Sequence, residues 1–251
     1  LDRLNALLEL DLDREVEAGP LRVRPLHLSV LGGDEHAYVL RRLLEAGASP
    51  NAPDAKGTTA LQAASTLNLP HVCSVLLGHG AKCERRGPHG VRALQMAGWA
   101  NSAEAAEVLL RAGAQVDAED KKKRTAAHAA AANDAAECLE VLLEHGANPE
   151  RQDARGRRAL HYAVRACRCH DPQCPRVRTT QLLLEAGVQV EAEDRGGWSA
   201  LDVAAEHNRI APLRQLLEHG ASPNRRSSAG CPPLTLAAHA GAREAAAVLL
   251  A

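Results

Sequence analysis

The apolar residues of this chain return in a fixed register. Paired leucines stand at 43–44, 76–77, 109–110, 142–143, 183–184, 216–217 and 249–250, and glycines follow the first six pairs at 47, 80, 113, 146, 187 and 220. The gaps between those glycines are 33, 33, 33, 41 and 33 residues. Inside one unit, residues 60–67 and 70–78, the positions Leu61, Ala64, Val72, Val75, Leu76 and Leu77 fall at helical spacing and predict two short helices with facing apolar sides. Pro70 suits the first turn of the second helix, and Gly80 suits the left-handed turn that ends it. Neither helix is long enough to persist alone, so each unit has to be stabilised by its neighbours in a stacked array.

A second signature lies ten residues past each glycine except Gly113. It consists of Gly57, Gly90, Gly156, Gly197 and Gly230, each leading into a segment such as Thr59-Ala60-Leu61-Gln62 or Arg158-Ala159-Leu160-His161. Lys123 stands at the remaining position, which predicts a local deviation in that turn. The combination resembles the ankyrin repeat, with its Gly-x-Thr-Pro-Leu-His turn, two antiparallel helices and Leu-Leu-x-x-Gly-Ala close. The tetrapeptide is degraded here: Arg24-Pro25-Leu26-His27 and Thr125-Ala126-Ala127-His128 keep parts of it, whereas Gln62, Gln95, Asp202 and Thr235 replace the His. The resemblance implies an all-α solenoid of about seven helix-turn-helix repeats with projecting β-turn fingers.

Residues 25–251 are expected to form the array, with a truncated last repeat and an inter-helix insertion around 165–178. Residues 1–24, where Leu4, Leu7 and Leu8 precede a polar stretch, are expected to be a degenerate half-repeat acting as a cap. The chain lacks an initiator Met and is expected to be an excised domain.

Composition narrows the function. Hydrophobic residues make up 45% of the chain but aromatic residues only 2%, with no Phe and only Tyr38, Trp99, Tyr162 and Trp198 as rings. That suits an Ala/Leu helical stack and argues against a base-stacking nucleic-acid platform. Thirty basic and 31 acidic residues give a net charge of −1, so no overall field favours DNA or an anionic membrane. No apolar run reaches the length of a spanning helix, no signal peptide is visible, and the seven cysteines are expected to be reduced thiols. The expected setting is intracellular, cytoplasmic or nuclear, and Lys121-Lys122-Lys123-Arg124 resembles a short nuclear import signal.

The balance of charge is local. Six fingers, residues 49–58, 82–92, 115–125, 148–158, 189–199 and 222–232, hold 16 basic and 10 acidic residues, while the remainder holds 14 and 21. A basic rim and an acidic helical back follow. By the resemblance, ligand contacts fall at finger tips, after the finger glycine and late in the first helix. Carried onto this chain, they give Trp99, Lys121, Lys122, Arg124, Arg155, Arg157, Arg165, Trp198 and Glu206 as partner-binding residues. Both tryptophans land on such positions, about three repeats apart on one extended surface, and Trp and Arg are the side chains enriched in binding hot spots.

The long fifth unit carries Cys167, Cys169, His170 and Cys174. An exposed loop is the expectation for this stretch, with a zinc site or a redox-responsive thiol loop as alternatives, since thiolate and imidazole are zinc ligands. An insertion at this place also resembles ankyrin-repeat substrate receptors that carry a SOCS box for ubiquitin-ligase assembly, although no SOCS box is visible. No phosphate loop, nucleophile elbow or His-Glu-x-x-His helix occurs, and the histidines at 79, 145 and 219 share one repeat position. The sequence therefore reads as a monomeric, non-enzymatic module without cofactor that binds a protein segment, acidic in character, along a concave groove. The alternative is the substrate-recognition or regulatory domain of a larger enzyme assembly such as a ubiquitin ligase.

Overall fold

The structure is a computed structural model that describes residues 16–18, 21–34, 37–166, 177–228 and 230–251. Among the described residues, a short antiparallel hairpin, β1 (Val16–Ala18) and β2 (Leu21–Val23), precedes seven helix pairs. The inner helices are α1 (Pro25–Leu31), α3 (Ala60–Thr66), α5 (Ala93–Ala100), α7 (Ala126–Ala132), α9 (Ala159–Ala166), α11 (Ala200–Glu206) and α13 (Pro233–Ala240). Their outer partners are α2 (Ala37–Glu45), α4 (Pro70–Gly78), α6 (Ala103–Arg111), α8 (Ala136–Glu144), α10 (Arg178–Glu185), α12 (Ile210–Glu218) and α14 (Arg243–Leu250). The helix expected around Leu4, Leu7 and Leu8 lies outside the described residues.

Each inner helix packs on the inner helix of the next pair, and each outer helix on the next outer one, as an all-α solenoid requires. Small residues set the inner spacing. Ala60, Ala64, Ala93, Ala97, Ala126, Ala130, Ala159, Ala163, Ala200 and Ala204 are all essentially inaccessible. At Gly98 a Cβ would lie 2.7 Å from the Ala126 carbonyl oxygen, so α5 and α7 meet almost backbone to backbone. Leucines such as Leu76, Leu109, Leu142, Leu183 and Leu216 fill the space between inner and outer layers.

Three polar ladders tie neighbouring pairs together. The first uses the fourth residue of the degraded tetrapeptide. Gln62 Oε1 accepts from the Thr59 N–H at 2.9 Å, while Gln62 Nε2 donates to the Val91 carbonyl of the next finger at 2.9 Å. Gln95 repeats the arrangement between Arg92 and Arg124. His128 does so through Nδ1, which accepts from Thr125 N, and Nε2, which reaches the Arg157 carbonyl at 3.1 Å. His161 connects Arg158 to the Trp198 carbonyl in the same way. Gln and His are thus interchangeable here, because each presents an acceptor and a donor on opposite ends of a planar group. Asp202 ends the series: its Oδ2 accepts from Ser199 N and Oγ at 2.8 Å, and the Cys231 carbonyl is met instead by Ser227 of its own finger.

The second ladder runs through the fingers. Asn51, Glu84, Asp117, Glu150 and Glu191 accept the backbone N–H of Lys82, Gln115, Asn148, Gln189 and Ser222 respectively, each in the next finger. The third uses inter-helix loops. Asn68, Asn101 and Asn208, all in the left-handed conformation, accept from the N–H of Ala105, Cys138 and Ala245 in the next outer helix, and Asp134 accepts from Thr179 Oγ1. Pro212 occupies the corresponding place in α12 and has no N–H to be met.

The finger turns need a left-handed residue, and Gly57, Gly90, Gly156 and Gly197 supply it with φ between 77° and 83°. Lys123 adopts φ 58° at the same place, with its N–H donating to the Asp120 carbonyl. The expected local deviation is therefore corrected: the turn is conserved in shape, and the lysine takes the strained conformation.

The ring tautomer in the first ladder makes stability pH-dependent. Burial chiefly holds the imidazoles of His27, His128 and His161 below the ordinary histidine range, against the pull of the carbonyls they face. With folded values lowered, their stabilising contribution is complete above about pH 6.5 and is lost as the pH falls through the folded values. His128→Gln keeps both hydrogen bonds in kind. Urea unfolding of that variant is expected to give stability within about 1 kcal/mol of the parent at neutral pH and a shallower loss on acidification. An unchanged acid slope would show that His128 does not contribute to it. Lys123→Gly is expected to raise the unfolding free energy by about 1 kcal/mol, because glycine enters the left-handed region without a Cβ clash.

Candidate functional site

The fingers sort their charges. Asp54, Asp120, Asp153 and Asp194 each turn Oδ1 back onto two N–H groups of their own finger, as when Asp153 accepts from Arg155 at 2.7 Å and Arg157 at 2.9 Å. Glu84, Asp117, Glu150 and Glu191 serve the second ladder, and Glu119 and Glu193 pair with Arg151 and Arg225. All ten finger acids are therefore engaged within the array. Of the 16 finger cations, Arg92, Arg124, Arg151, Arg157, Arg158 and Arg225 form ion pairs, and the other ten have none among the described residues. The tips are joined through backbone, from Lys121 N to His89 O, Ala154 N to Lys122 O and Arg195 N to Arg155 O at 2.8–3.2 Å. This holds Lys121, Lys122, Lys123 and Arg155 exposed along one edge.

Inside that edge the inner helices form a row of clefts; one of about 500 Å³, lined by Ala132, Tyr162, Arg165, Ala166, His207 and Arg209, lies between two that hold the tryptophans. The first, about 450 Å³, lies between α5 and α7 and is lined by Val91, Met96, Trp99, Arg124, His128, Ala129, Ala132 and Tyr162. The second, about 320 Å³, lies between α9 and α11 and brings together Arg155, Arg157, Arg165, Trp198, Glu206 and His207, again with Tyr162. The tryptophans thus line different clefts, and Tyr162 borders both. Trp99 is 57% exposed, whereas Trp198 is half-buried against Gly196 of its own finger.

Tyr162 is held rigidly between them. Its hydroxyl donates to Asp153 Oδ2 at 2.7 Å and accepts from Arg157 Nη2 at 2.6 Å; the Arg157 guanidinium also lies 4.6 Å over its ring. His128 meets the same ring edge-on at 5.5 Å. Burial pulls the Asp153 carboxyl upward, but the bonds from Tyr162 and Arg157 outweigh it and leave the group below its usual range. Burial, followed by the bond to that carboxylate, pushes the phenol well above its own range. The result is a fixed ionic triad under the ring.

The sequence-predicted residues separate accordingly. Lys121, Lys122, Arg155, Arg165 and Trp99 are exposed, while Arg124 is drawn to Asp120 at 2.7 Å and Arg157 to Asp153 at 2.8 Å. Glu206 approaches His207 Nδ1 at 3.0 Å. Tyr162 and Met96 were not among the expected site residues. A signal for Tyr162 exists in the register, where Ala63, Met96, Ala129, Val203 and Leu236 stand at its place and no other ring occurs.

Cys167, Cys169, His170 and Cys174 lie outside the described residues. Among the described residues no group of three or more His, Cys, Asp or Glu is placed to hold a metal ion. Cys73 and Cys138 are buried, and burial pushes both thiols up to about 12, away from the reactive thiolate. No helix among the described residues is long and apolar enough to cross a membrane.

Comparison with known proteins follows the same architecture. No curated protein sequence matches the chain significantly. Among solved structures, the human ASB11 ankyrin repeat domain superposes with a TM-score of 0.76 at 25% identity, covering 90% of this chain and 97% of that one. The ankyrin repeat domain of Bcl-3, described as a unique member of the IkappaB protein family, gives 0.73 at 26% identity, covering 90% and 98%. A family model of ankyrin repeats in three copies matches residues 26–120 and 93–174, and one of ankyrin repeats in many copies matches residues 201–250. With helix pairs, fingers and sequence register all in agreement, the chain belongs to the ankyrin-repeat family.

Proposed function

We propose that the groove from Trp99 to Trp198, with the finger edge beside it, binds an acidic protein segment, and that the array does so as a single copy and without catalysis. Ankyrin-repeat domains are protein–protein interaction modules. The observation that carries the finer reading is the sorting of finger charge: every finger acid is occupied inside the array, and ten finger cations have no ionic partner among the described residues. Lys121, Lys122, Arg155 and Arg165 then attract and place carboxylates, while Trp99 and Trp198 supply contact area. Arg124 and Arg157 take part indirectly, by holding the fingers and Tyr162 in shape.

A second reading makes the array the substrate-recognition part of a larger assembly such as a ubiquitin ligase. The long fifth repeat, with 41 residues between closing glycines, favours it. Recovery of ubiquitin-ligase subunits with the full-length protein from cells would support this reading.

For the groove itself, partner recovery from cell lysate by the purified array is compared with that of Trp99→Ala/Trp198→Ala. The double variant is expected to recover at least about tenfold less, as for hot-spot side chains. Lys121→Glu/Lys122→Glu/Arg155→Glu is expected to slow association and to remove most of its salt dependence. Recovery unchanged by either set of substitutions would overturn the assignment.

A further inference from the structure

The two clefts offer different chemistry, which deepens the groove reading and rests on it. In the first cleft most polar groups are already occupied. Asp120 holds Arg124, Thr125 and the Arg157 carbonyl hold His128, and Asp153 holds the Tyr162 hydroxyl. What remains open is mainly apolar, namely the exposed face of Trp99 with Val91, Met96, Ala129 and Ala132, beside the solvent-exposed Asn133. A large apolar side chain entering there displaces water without leaving a polar group unpaired.

The second cleft has the opposite character. Asp194 is turned onto the N–H groups of Gly196 and Trp198, Arg157 is held by Asp153, and Glu206 faces His207. Arg155 and Arg165 are both exposed and have no ion pair among the described residues. These two arginines, against the one carboxylate of Glu206, leave this cleft with a net demand for an anion, and guanidinium groups are well suited to a carboxylate.

We infer that the groove reads a two-part signal in one extended segment: a large apolar side chain seated against Trp99, and an Asp or Glu side chain held by Arg155 and Arg165. The fold sets their separation. The first cleft lies between α5 and α7 and the second between α9 and α11, two helix spacings away, or roughly 20 Å at about 10 Å per helix. An extended chain rises about 3.3 Å per residue, so the two side chains stand about six residues apart. Tyr162, held by Asp153 and Arg157, lies between them and lines the intervening cleft that the segment crosses.

The test selects random peptides, displayed on phage and long enough to span both clefts, on the purified array. Enriched sequences are expected to pair an apolar residue with an acidic one at about that spacing. Selection on Trp99→Ala should lose the apolar preference and keep the acidic one, and selection on Arg155→Gln/Arg165→Gln should do the reverse. A synthetic peptide of the enriched sequence should bind either variant at least about tenfold more weakly, as should its Asp→Asn or Glu→Gln form on the parent array. All three side chains are exposed, so folding of the variants is checked simply by circular dichroism. A pair spaced two residues apart or fewer, an apolar preference lost with the arginines but not with Trp99, or binding seen only for a phosphoserine form would overturn the inference. Failure of the groove reading looks different: enriched peptides would then bind all the variants, including Trp198→Ala, as well as the parent.

Discussion

One side-chain bridge organises the array. At 62, 95, 128 and 161 a planar group accepts a hydrogen bond from the start of its own inner helix and donates one to a carbonyl of the following finger. The inner helices are only seven or eight residues long and could not persist alone. The bridge caps each helix and sets the position of the next finger in a single contact. Apolar packing supplies the bulk of the attraction between repeats, but Ala-to-Ala surfaces are smooth and specify little about sliding. Hydrogen bonds at a fixed place along each helix supply that register.

The same demand explains how a nearly neutral chain comes to present one sign of charge. Finger backbones carry N–H groups that the short turns leave unmet, and carboxylates are the strongest side-chain acceptors for them. Acids recruited for this purpose turn inward, as Asp153 and Glu150 do, and their countercharges remain outside. The basic edge is in this sense a by-product of folding, and the net charge of −1 conceals it.

Much of this architecture was legible in the sequence because it depends on residue size and on period. The Leu pairs, the closing glycines and the Ala positions name the core directly, since only small residues fit where Gly98 meets Ala126. Other features were not legible, for physical reasons. Gln62 and Gln95 read as losses of a family histidine, although an amide offers the same donor and acceptor. Lys123 read as a disturbed turn, although its neighbours hold the chain in a left-handed shape despite the strain. Arg124 and Arg157 read as free binding groups because an i to i+4 pairing inside a turn leaves no periodic trace. Tyr162 was overlooked because its role arises only where two clefts, built from four helices, come together.

Asp202 gives the array an uneven grain. The planar bridge continues as far as the Trp198 carbonyl and then stops, because a carboxylate has no proton to pass forward and Ser227 meets the Cys231 carbonyl locally. Burial raises the Asp202 carboxyl above its usual range, a cost that the four upstream bridges do not carry. The last helix pair, α13 and α14, is moored by apolar contact, by Asn208, which accepts from the Ala245 N–H and donates to Glu244, and by finger bonds from Ser222 and Arg225 to Glu191. The joint before the final unit thus differs from those upstream in chemistry and not in continuity: finger carboxylates and Asn208, rather than a planar amide or imidazole, keep its register.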